Sequence, residues 1–271
     1  MEQQTGFKAV DVHAHFGGVA KGKNPVYDLL VRGSPEQVVT WARSQGIKLS
    51  FVSSIPALTQ CAGQPQIGNA EAVKAAAQFP DALRFWATLN PTQPDSFGDV
   101  EDLLAHPLCV GIKIHPPEHQ YEILEFGEET FSFAARRGTV IQTHSGDKGA
   151  WPMDFVPFAD RFPNVRLILS HLGHGADDVW DHQVRAIEAC KHRNIWTDTS
   201  SQMSVLRGLI EWAVGRIGPE RILFGSDAPC YNTAAQLARI VHADLPEAAK
   251  RAILWDNAAS LFRLSSDAAM A

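Results

Sequence analysis

Short apolar, β-branched runs alternate with longer amphipathic runs along nearly the whole chain. The short runs predict eight strands, at residues 7–13, 47–53, 83–89, 110–115, 139–144, 165–171, 194–199 and 222–227. Helices are predicted over residues 35–45, 69–78, 127–137, 154–161, 177–192 and 204–214, and in segments through residue 244 and from 246 to about 255. Ser34 followed by Pro35 is typical of an N-cap with proline at the first helical position.

Strands separated by helices imply parallel strands joined by crossovers. Eight such units favour a closed α/β barrel of the (β/α)₈, TIM type, with outer helices, over an open doubly wound sheet. The phosphate-binding loops GxGxxG and GxxxxGK[ST] are absent from the sequence. We predict a single domain over residues 1–271, with a long loop from about Phe16 to Gly33 overhanging the barrel mouth.

Polar residues that could bind a metal or take part in catalysis lie where the predicted strands end. They are His13, His15, His115, His144, His171 and Asp227. In a parallel barrel the C-terminal ends of all strands meet at one mouth, which is where such enzymes place their active sites. The sequence therefore predicts that these side chains face a common pocket.

The pair His13 and His15 in DVHAHF suggests a metal site. Residues two apart on a strand point to the same face, ~6–7 Å apart along the chain, so both imidazoles can approach one cation at about 2.0–2.1 Å. HxH alone is a weak signal, but the later strand-end histidines and Asp227 strengthen it. Three histidines and one carboxylate would leave room for water, as a catalytic zinc or iron site requires.

The motifs VDVHAHF, GIKIHP, QTHSG, LSHLGH, GSDAP and DNAASLF resemble those of the amidohydrolase superfamily. Within it they are similar to the amidohydrolase-related (amidohydrolase 2) branch. That branch contains small hydrolases together with decarboxylases such as those acting on aminocarboxymuconate semialdehyde and resorcylate. The resemblance implies that His13, His15, His144 and Asp227 bind the metal. It also implies that His171 lies beside the metal-bound water as a catalytic residue.

This ligand set suits water activation. A bound metal lowers the pKa of its water toward 7. Asp227 could bind the metal and also accept the proton of that water, while His171 could orient the water or polarise a substrate carbonyl. One divalent transition metal is expected, zinc in preference to manganese, iron or cobalt.

Lys113 and His115 in GIKIHP should both face the barrel interior, because they lie two apart on a strand. Some superfamily members carboxylate a lysine of the fourth strand to bridge two metals, and His144 and His171 would then bind the second metal. The alternatives are an ammonium that binds substrate and a lysine paired with a carboxylate. We expect one metal, and the GIKIHP form favours a hydrolase over a decarboxylase.

Three further residues near the predicted mouth have open roles. His174 in HLGHG could line the pocket or be a loop residue. Trp151, in the loop after the fifth strand, could wall the pocket. Asp198, at the end of the seventh strand, could contact substrate or orient a histidine, or make a purely structural hydrogen bond. With Lys113 and His115, His174 and Trp151 are candidate second-metal or substrate contacts.

Composition limits the classes of partner. The 271 residues are 45% hydrophobic with a net charge of −6, and without a Lys/Arg cluster they offer no nucleic-acid surface. No apolar run approaches the ~18 residues of a membrane span. Four scattered cysteines without a CxxC pair, and a first segment without the features of a signal peptide, lead us to expect a cytoplasmic protein. A homo-oligomer remains open.

The leading functional hypothesis is a metal-dependent hydrolase that uses metal-activated water on a C–N or C–O bond (amide, lactone or ester) of a small molecule. The alternative is a non-oxidative decarboxylase of a small aromatic or unsaturated carboxylate, in which His171 supports protonation of carbon. Fold analogy does not separate these reactions. A non-catalytic metal- or ligand-binding barrel is the third hypothesis, which absence of metal from the purified protein would favour.

Overall fold

A computed structural model describes residues 6–18, 25–59, 65–201 and 205–264. In this part of the chain eight parallel strands lie side by side in sequence order. They are β1 (Ala9–Phe16), β2 (Ile47–Ser54), β3 (Leu83–Thr88), β4 (Cys109–Ile114), β5 (Val140–Thr143), β6 (Arg166–Leu169), β7 (Ile195–Asp198) and β8 (Ile222–Leu223). The strand bounds agree with the predicted runs to within three residues, except that β8 ends four residues before its predicted run does. The predicted TIM barrel is therefore confirmed.

Backbone hydrogen bonds join β1 to the segment that directly follows β8. The Val12 N–H donates to the Phe224 carbonyl at 2.9 Å, and the Asp227 N–H donates to the His13 carbonyl at 2.7 Å. The His15 N–H donates to the Ala228 carbonyl at 2.6 Å. These bonds bring the first and last strands together and place Asp227 beside the histidines of β1.

Helices follow most strands and cover the barrel. They are α1 (Pro25–Leu30), α2 (Pro35–Ser44), α3 (Ile55–Leu58), α4 (Pro65–Gln78), α5 (Asp95–Leu103), α6 (Pro116–His119), α7 (Ile123–Arg137), α8 (Pro152–Arg161), α9 (His182–Ala189), α10 (Leu209–Ile217), α11 (Thr233–Val241), α12 (Glu247–Arg251) and α13 (Asn257–Phe262), with a π-helical turn at Ala252–Asp256. The predicted start of α2 is confirmed, because Ser34 and Gln37 form a reciprocal capping box. No helix of the described residues is both long and apolar enough to cross a membrane.

The helix predictions differ from the structure mainly in the segments between strands, where short helices were not predicted and two helices begin later than predicted. The sequence pattern did not predict the short α1, α3, α6 and α13 or the longer α5, and it predicted α9 too long. Asp177 accepts hydrogen bonds from the Val179 N–H and the His182 ring, and Asp178 has a φ of 63°. Such a side-chain-stabilised turn competes with the helix, so α9 begins only at His182. Gly208, with a φ of 82°, similarly delays the start of α10.

The barrel interior changes from apolar to polar along its axis. Rings of Phe51, Trp86 and Phe262 pack edge to face with centroids 4.7–6.1 Å apart. Two residues further along the strands in register, Lys113 and Gln142 are fully buried. The aromatic layer fills the lower barrel, and the polar layer above it supports the strand ends.

Candidate metal centre

A cavity of about 290 Å³ opens where the strands end. The described residues that line it are His13, His15, Tyr27, Ile55, Leu58, Thr59, Lys113, His115, Glu118, His144, His171, His174, Ser201, Asp227, Cys230 and Tyr231. Every histidine proposed for the site therefore faces one cavity, and so do Lys113 and Asp227.

Trp151 does not line this cavity, contrary to expectation. The loop after β5 folds back on itself, because the Ala150 N–H donates to the Asp147 carbonyl and the Gly146 N–H to the Ala150 carbonyl. Trp151 then lies immediately before α8, and its ring centroid is 5.2 Å from that of His182.

The loop predicted to overhang the mouth reaches the cavity. Gly17 and Gly33 pair through two backbone hydrogen bonds of 2.7 and 3.0 Å, which close the base of this loop. Tyr27, on α1 within it, lines the cavity. Residues 19–24 of the predicted loop lie outside the described residues.

Three side chains converge at the floor of the cavity, and we call His13, His15 and Asp227 the inner group. The two Nε2 atoms are 3.1 Å apart, and Asp227 Oδ1 lies 3.1 Å from His15 Nε2 and 3.6 Å from His13 Nε2. Asp227 has a φ of 56°, a left-handed conformation uncommon for a residue other than glycine.

The spacing of the inner group fits a single cation. With metal–ligand bonds of about 2.1 Å, neighbouring ligands of a tetrahedral or octahedral ion are roughly 3.0–3.4 Å apart. The three observed distances of 3.1, 3.1 and 3.6 Å lie close to that range. Two imidazole nitrogens and one carboxylate oxygen are also a donor set that transition metals accept.

Neighbouring side chains orient both histidines of β1. His13 Nδ1 lies 3.0 Å from Asp198 Oδ2, and His15 Nδ1 lies 2.8 Å from Ser53 Oγ. An acceptor at Nδ1 fixes the proton there and leaves the Nε2 lone pair free to bind a cation. Of the three roles left open for Asp198, orientation of a histidine is the one that the structure supports.

Asp198 accepts an unusual number of hydrogen bonds for one buried carboxylate. Its donors are the backbone N–H groups of His171 and Ser200, the side chains of His13 and Gln142, and the Ser200 hydroxyl. Burial alone would raise the pKa of Asp198, but His13 and these hydrogen bonds hold that pKa well below its usual value. Asp198 is therefore a fixed negative charge beneath the site.

Lys113 is buried against the inner group. Its Nζ is 3.0 Å from His13 Nε2 and 3.2 Å from Gln142 Oε1. Burial lowers the pKa of Lys113 from 10.5 to about 8, against the opposing effect of Asp198 and Asp227. At neutral pH this lysine is an ammonium and a stronger acid than an exposed lysine.

A second cluster lies on the loops after β5 and β6, and we call His144, Asp147 and His174 the outer group. His174 Nε2 is 2.9 Å from Asp147 Oδ2, and His144 Nε2 contacts the same oxygen. The ligand atoms of this group all lie within 4.8 Å of one another. His144 is thus placed with Asp147 and His174, whereas the resemblance implies that it binds the same metal as His13 and His15.

His171 lies between the two groups. Its Nε2 is 3.1 Å from His144 Nδ1, its Nδ1 is 2.7 Å from Ser200 Oγ, and its ring centroid is 4.9 Å from that of His13. His115 stacks on His144 with a centroid separation of 4.3 Å. The arrangement forms one continuous chain of side chains from Asp198 to Asp147.

Burial favours the neutral form of four histidines of the site, His13, His115, His144 and His171. It lowers the pKa of His13 to about 4 and the pKa values of His115 and His171 well below their ordinary value. The pKa of His144 is lowered for the same reason. Neutral imidazoles are the form that binds metals.

Several polar residues of the site escaped sequence reasoning. They are Asp11, Ser53, Gln142, Asp147 and Ser200. Asp11 lies two residues before His13 and accepts hydrogen bonds from the His13 N–H and from Ser226; burial raises its pKa to about 7. The only available signal was proximity in sequence to the strand-end histidines, which Asp11, Gln142 and Asp147 have.

The fold is similar to solved decarboxylase structures. A 2,6-dihydroxybenzoate decarboxylase in complex with 2,6-dihydroxybenzoate has a TM-score of 0.76 and 17% identity, over 95% of this chain and 100% of that chain. A dihydroxybenzoic acid decarboxylase from Polaromonas sp. JS666, with bound manganese and the inhibitor 2-nitroresorcinol, has a TM-score of 0.76 and 16% identity, over 97% and 99% of the two chains. At these identities the similarity shows the fold alone.

Sequence comparison gives a partial match to a curated relative and a broad family match. The gamma-resorcylate decarboxylase of Polaromonas sp. strain JS666 is 26% identical over 127 residues, which cover 39% of this chain and 36% of that protein. The matched part thus spans little more than a third of the relative's length. A family model described as Amidohydrolase matches residues 61–264. The chain therefore belongs to the amidohydrolase family of enzymes.

Proposed function

We propose that this protein is a metal-dependent, non-oxidative decarboxylase of a small aromatic carboxylate, with its cation bound by His13, His15 and Asp227. The observation that most directly supports this reaction is the sequence similarity to gamma-resorcylate decarboxylase. The spacing of the inner group supports the cation. A cavity of about 290 Å³ suits a ligand with a single substituted ring.

The expectation of a hydrolase is wrong. The curated relative and the two similar structures described above are decarboxylases. The GIKIHP motif does not favour hydrolysis, because a lysine near the end of one strand does not determine the reaction on a scaffold that supports several.

The metal that the relatives contain also bears on the proposal. One similar decarboxylase structure has bound manganese, which supports manganese beside zinc as the proposed ion. Two nitrogens and one oxygen suit either ion. When bound by His13, His15 and Asp227, the cation would act as a Lewis acid that offsets the negative charge of the substrate.

The reaction requires a proton at the ring carbon that carries the carboxylate. Once that carbon is protonated, the C–C bond breaks, its electron pair returns to the ring, and CO₂ leaves. Lys113 is best suited to donate this proton, because it lines the cavity and its pKa of about 8 keeps it protonated at neutral pH. Water then returns a proton to Lys113.

The remaining side chains position these groups. Asp198 and Ser53 hold His13 and His15 with their Nε2 atoms toward the substrate. His171, expected as a catalytic residue, is instead proposed as a positioning residue, because its two nitrogens contact Ser200 and His144. Ile55 and Leu58 supply an apolar wall against which a ring can pack.

The test is CO₂ release from a panel of ortho-hydroxybenzoates that includes 2,6-dihydroxybenzoate. Metal-stripped protein should be inactive, manganese should restore CO₂ and 1,3-dihydroxybenzene formation, and Asp227→Asn should remove it. The methyl ester of 2,6-dihydroxybenzoate is the matched probe for hydrolysis. Ester cleavage without CO₂ release from any of the free acids would overturn the proposal.

A further inference from the structure

We propose that the face of the barrel opposite the candidate metal centre binds a small anion that carries a phosphate group. A cavity of about 620 Å³ opens at this face. Four arginines line it, and we call them the arginine cluster: Arg84, Arg137, Arg166 and Arg263. The site lies outside the catalytic cavity, so it does not depend on the proposed reaction.

The fold brings the arginine cluster together from distant parts of the sequence. Arg84 is the second residue of β3, and Arg166 is the first residue of β6. Arg137 is the last residue of α7, and Arg263 directly follows α13. Parallel strands begin at the face opposite the one that carries the active site. None of the described residues that line the cavity is acidic, so its charged groups are all positive in a chain whose net charge is −6.

Two backbone carbonyls hold the guanidinium of Arg166 at the cavity without neutralising it. Its Nη1 donates to the Leu261 carbonyl at 2.7 Å, and its Nη2 donates to the Gly138 carbonyl at 2.9 Å. Within the described residues, neither Arg166 nor Arg263 has a carboxylate partner. Burial and the neighbouring guanidinium of Arg263 both lower the pKa of Arg166. An anion between these two like charges would therefore be bound favourably.

Arg84 adds a further guanidinium with unused donors. Its Nη1 donates to the carbonyls of Pro80 at 2.6 Å and Leu83 at 2.8 Å. Among the residues that the structure describes, nothing accepts from its Nε and Nη2 groups. The nearby carboxylate of Asp81 pairs instead with Arg43 at 2.6 Å. Arg84 is thus held by neutral groups, as Arg166 is, and can bind a ligand through its remaining N–H groups.

The charge and the donors of the cluster favour a phosphate group over a carboxylate. Arg137 pairs with Glu101, so the cations available to a ligand are Arg84, Arg166 and Arg263. A phosphate group carries a charge of about −1.5 to −2 at pH 7 and three acceptor oxygens, whereas a carboxylate carries one charge and two oxygens. Guanidinium groups bind phosphate oxygens through paired N–H donors.

Apolar side chains form another part of the cavity wall. Val110, Leu261 and Phe262 line the cavity beside the arginines. Phe262 also belongs to the aromatic layer that fills the lower barrel, where its ring packs against Phe51 and Trp86. An apolar group bound here would lie against a wall that the barrel core holds in place. The expected ligand is therefore a small phosphomonoester whose organic part contacts this wall.

The test is isothermal titration calorimetry with inorganic phosphate, because the guanidinium groups recognise this part of the ligand. Arg263→Gln and Arg166→Gln should each weaken phosphate binding by about tenfold or more, since each removes a charged hydrogen-bond donor. Arg136→Gln is the matched control. Arg136 lies in the last turn of α7 beside Arg137 but lines a different cavity. Its variant loses the same charge and should bind phosphate within about twofold of wild type, because water and salt screen an exposed charge.

Two results would overturn this proposal. The first is wild-type protein that binds no phosphate. The second is phosphate affinity that is the same in Arg263→Gln, Arg166→Gln and Arg136→Gln. Phosphate bound in the catalytic cavity would contribute equally in all these proteins, so it does not imitate the expected difference. Arg263 is exposed, so its variant should fold. Arg166→Gln loses two hydrogen bonds to backbone carbonyls, and a thermal unfolding scan checks the fold of both variants.

Discussion

The inner and outer groups have the same donors, two histidines and one aspartate, on different kinds of scaffold. His13 and His15 are on β1, and Asp227 is tied by its backbone to β1. Their side chains are 1%, 7% and 11% exposed, against 14–31% in the outer group. His144, Asp147 and His174 all follow strands and belong to loops. Sites on strands are held more precisely than sites on loops.

The two groups also differ in what orients their histidines. In the inner group each Nδ1 has its own acceptor, Asp198 or Ser53. In the outer group both histidines contact the same oxygen of Asp147, and only His144 has a further partner at Nδ1, His171. We therefore expect the inner group to bind metal more tightly and to tolerate less change.

The largest difference in activity between variants should come from replacing the aspartate of each group by asparagine. Asp227→Asn should lower CO₂ release by ~10³-fold or more, because it weakens the metal ligand at the reacting centre. Asp147→Asn should lower it by less than about 10-fold, since it changes only the rim. Steady-state kinetics on manganese-loaded protein measures both. Equal losses would mean that the two groups act as one centre.

The next effect concerns the residue beneath the inner group. Asp198→Asn should weaken metal affinity at the inner group by about 10–100-fold, because His13 loses the anion that fixes its ring. A competition titration with a chromophoric chelator measures this. Ser53→Ala, which removes the hydroxyl that contacts His15 Nδ1, should lower the metal affinity less. A larger loss of affinity in Ser53→Ala than in Asp198→Asn would contradict this prediction.

A third comparison isolates the charge of Lys113. Its pKa is lowered in the folded protein, so the unfolded chain binds more protons between pH 8 and 10.5. Stability attributable to this group should therefore be lowest below pH 8 and rise toward pH 10.5. Metal-free wild type should gain on the order of 1–3 kcal/mol over that window relative to Lys113→Met. Urea unfolding of both proteins measures the difference, and parallel pH curves would refute it.

The smallest effect is expected at Asp11. Burial raises the pKa of this carboxyl to about 7, so the charged form is disfavoured in the folded protein. Asp11→Asn keeps an oxygen that can accept from the His13 and Ser226 N–H groups. At pH 4, where this carboxyl is protonated in the folded protein and therefore resembles an amide, the free energy of unfolding should change by less than about 1 kcal/mol. A loss of several kcal/mol would show that the ionised form stabilises the strand end.

The strand pattern predicted most of the side-chain positions that follow from the backbone geometry of the barrel. Period-two spacing placed His13 and His15 on one face, and strand order placed Asp227 beside them. These are consequences of backbone geometry, which repeats regularly along a chain. His171 and His115 were likewise placed at the cavity by their positions at strand ends.

Neither the loop conformations nor the hydrogen-bond partners of the site could be predicted from the strand pattern. The pairing of His144 with Asp147, and the fold of the Gly146–Ala150 segment that moves Trp151 away from the cavity, depend on local turns without periodicity. Ser53 and Ser200 act through contacts with residues far away in sequence. The reaction class was also beyond the motifs, since one scaffold supports hydrolysis and decarboxylation.

The central claim, that the inner group holds the catalytic metal, is tested most directly by diffraction. Crystals soaked with Mn²⁺ and 2,6-dihydroxybenzoate should show an anomalous peak about 2.1 Å from His13 Nε2, His15 Nε2 and Asp227 Oδ1. The substrate carboxylate should lie beside that peak and near Lys113. An anomalous map with no peak between His13, His15 and Asp227, or with manganese at the outer group alone, would contradict this account.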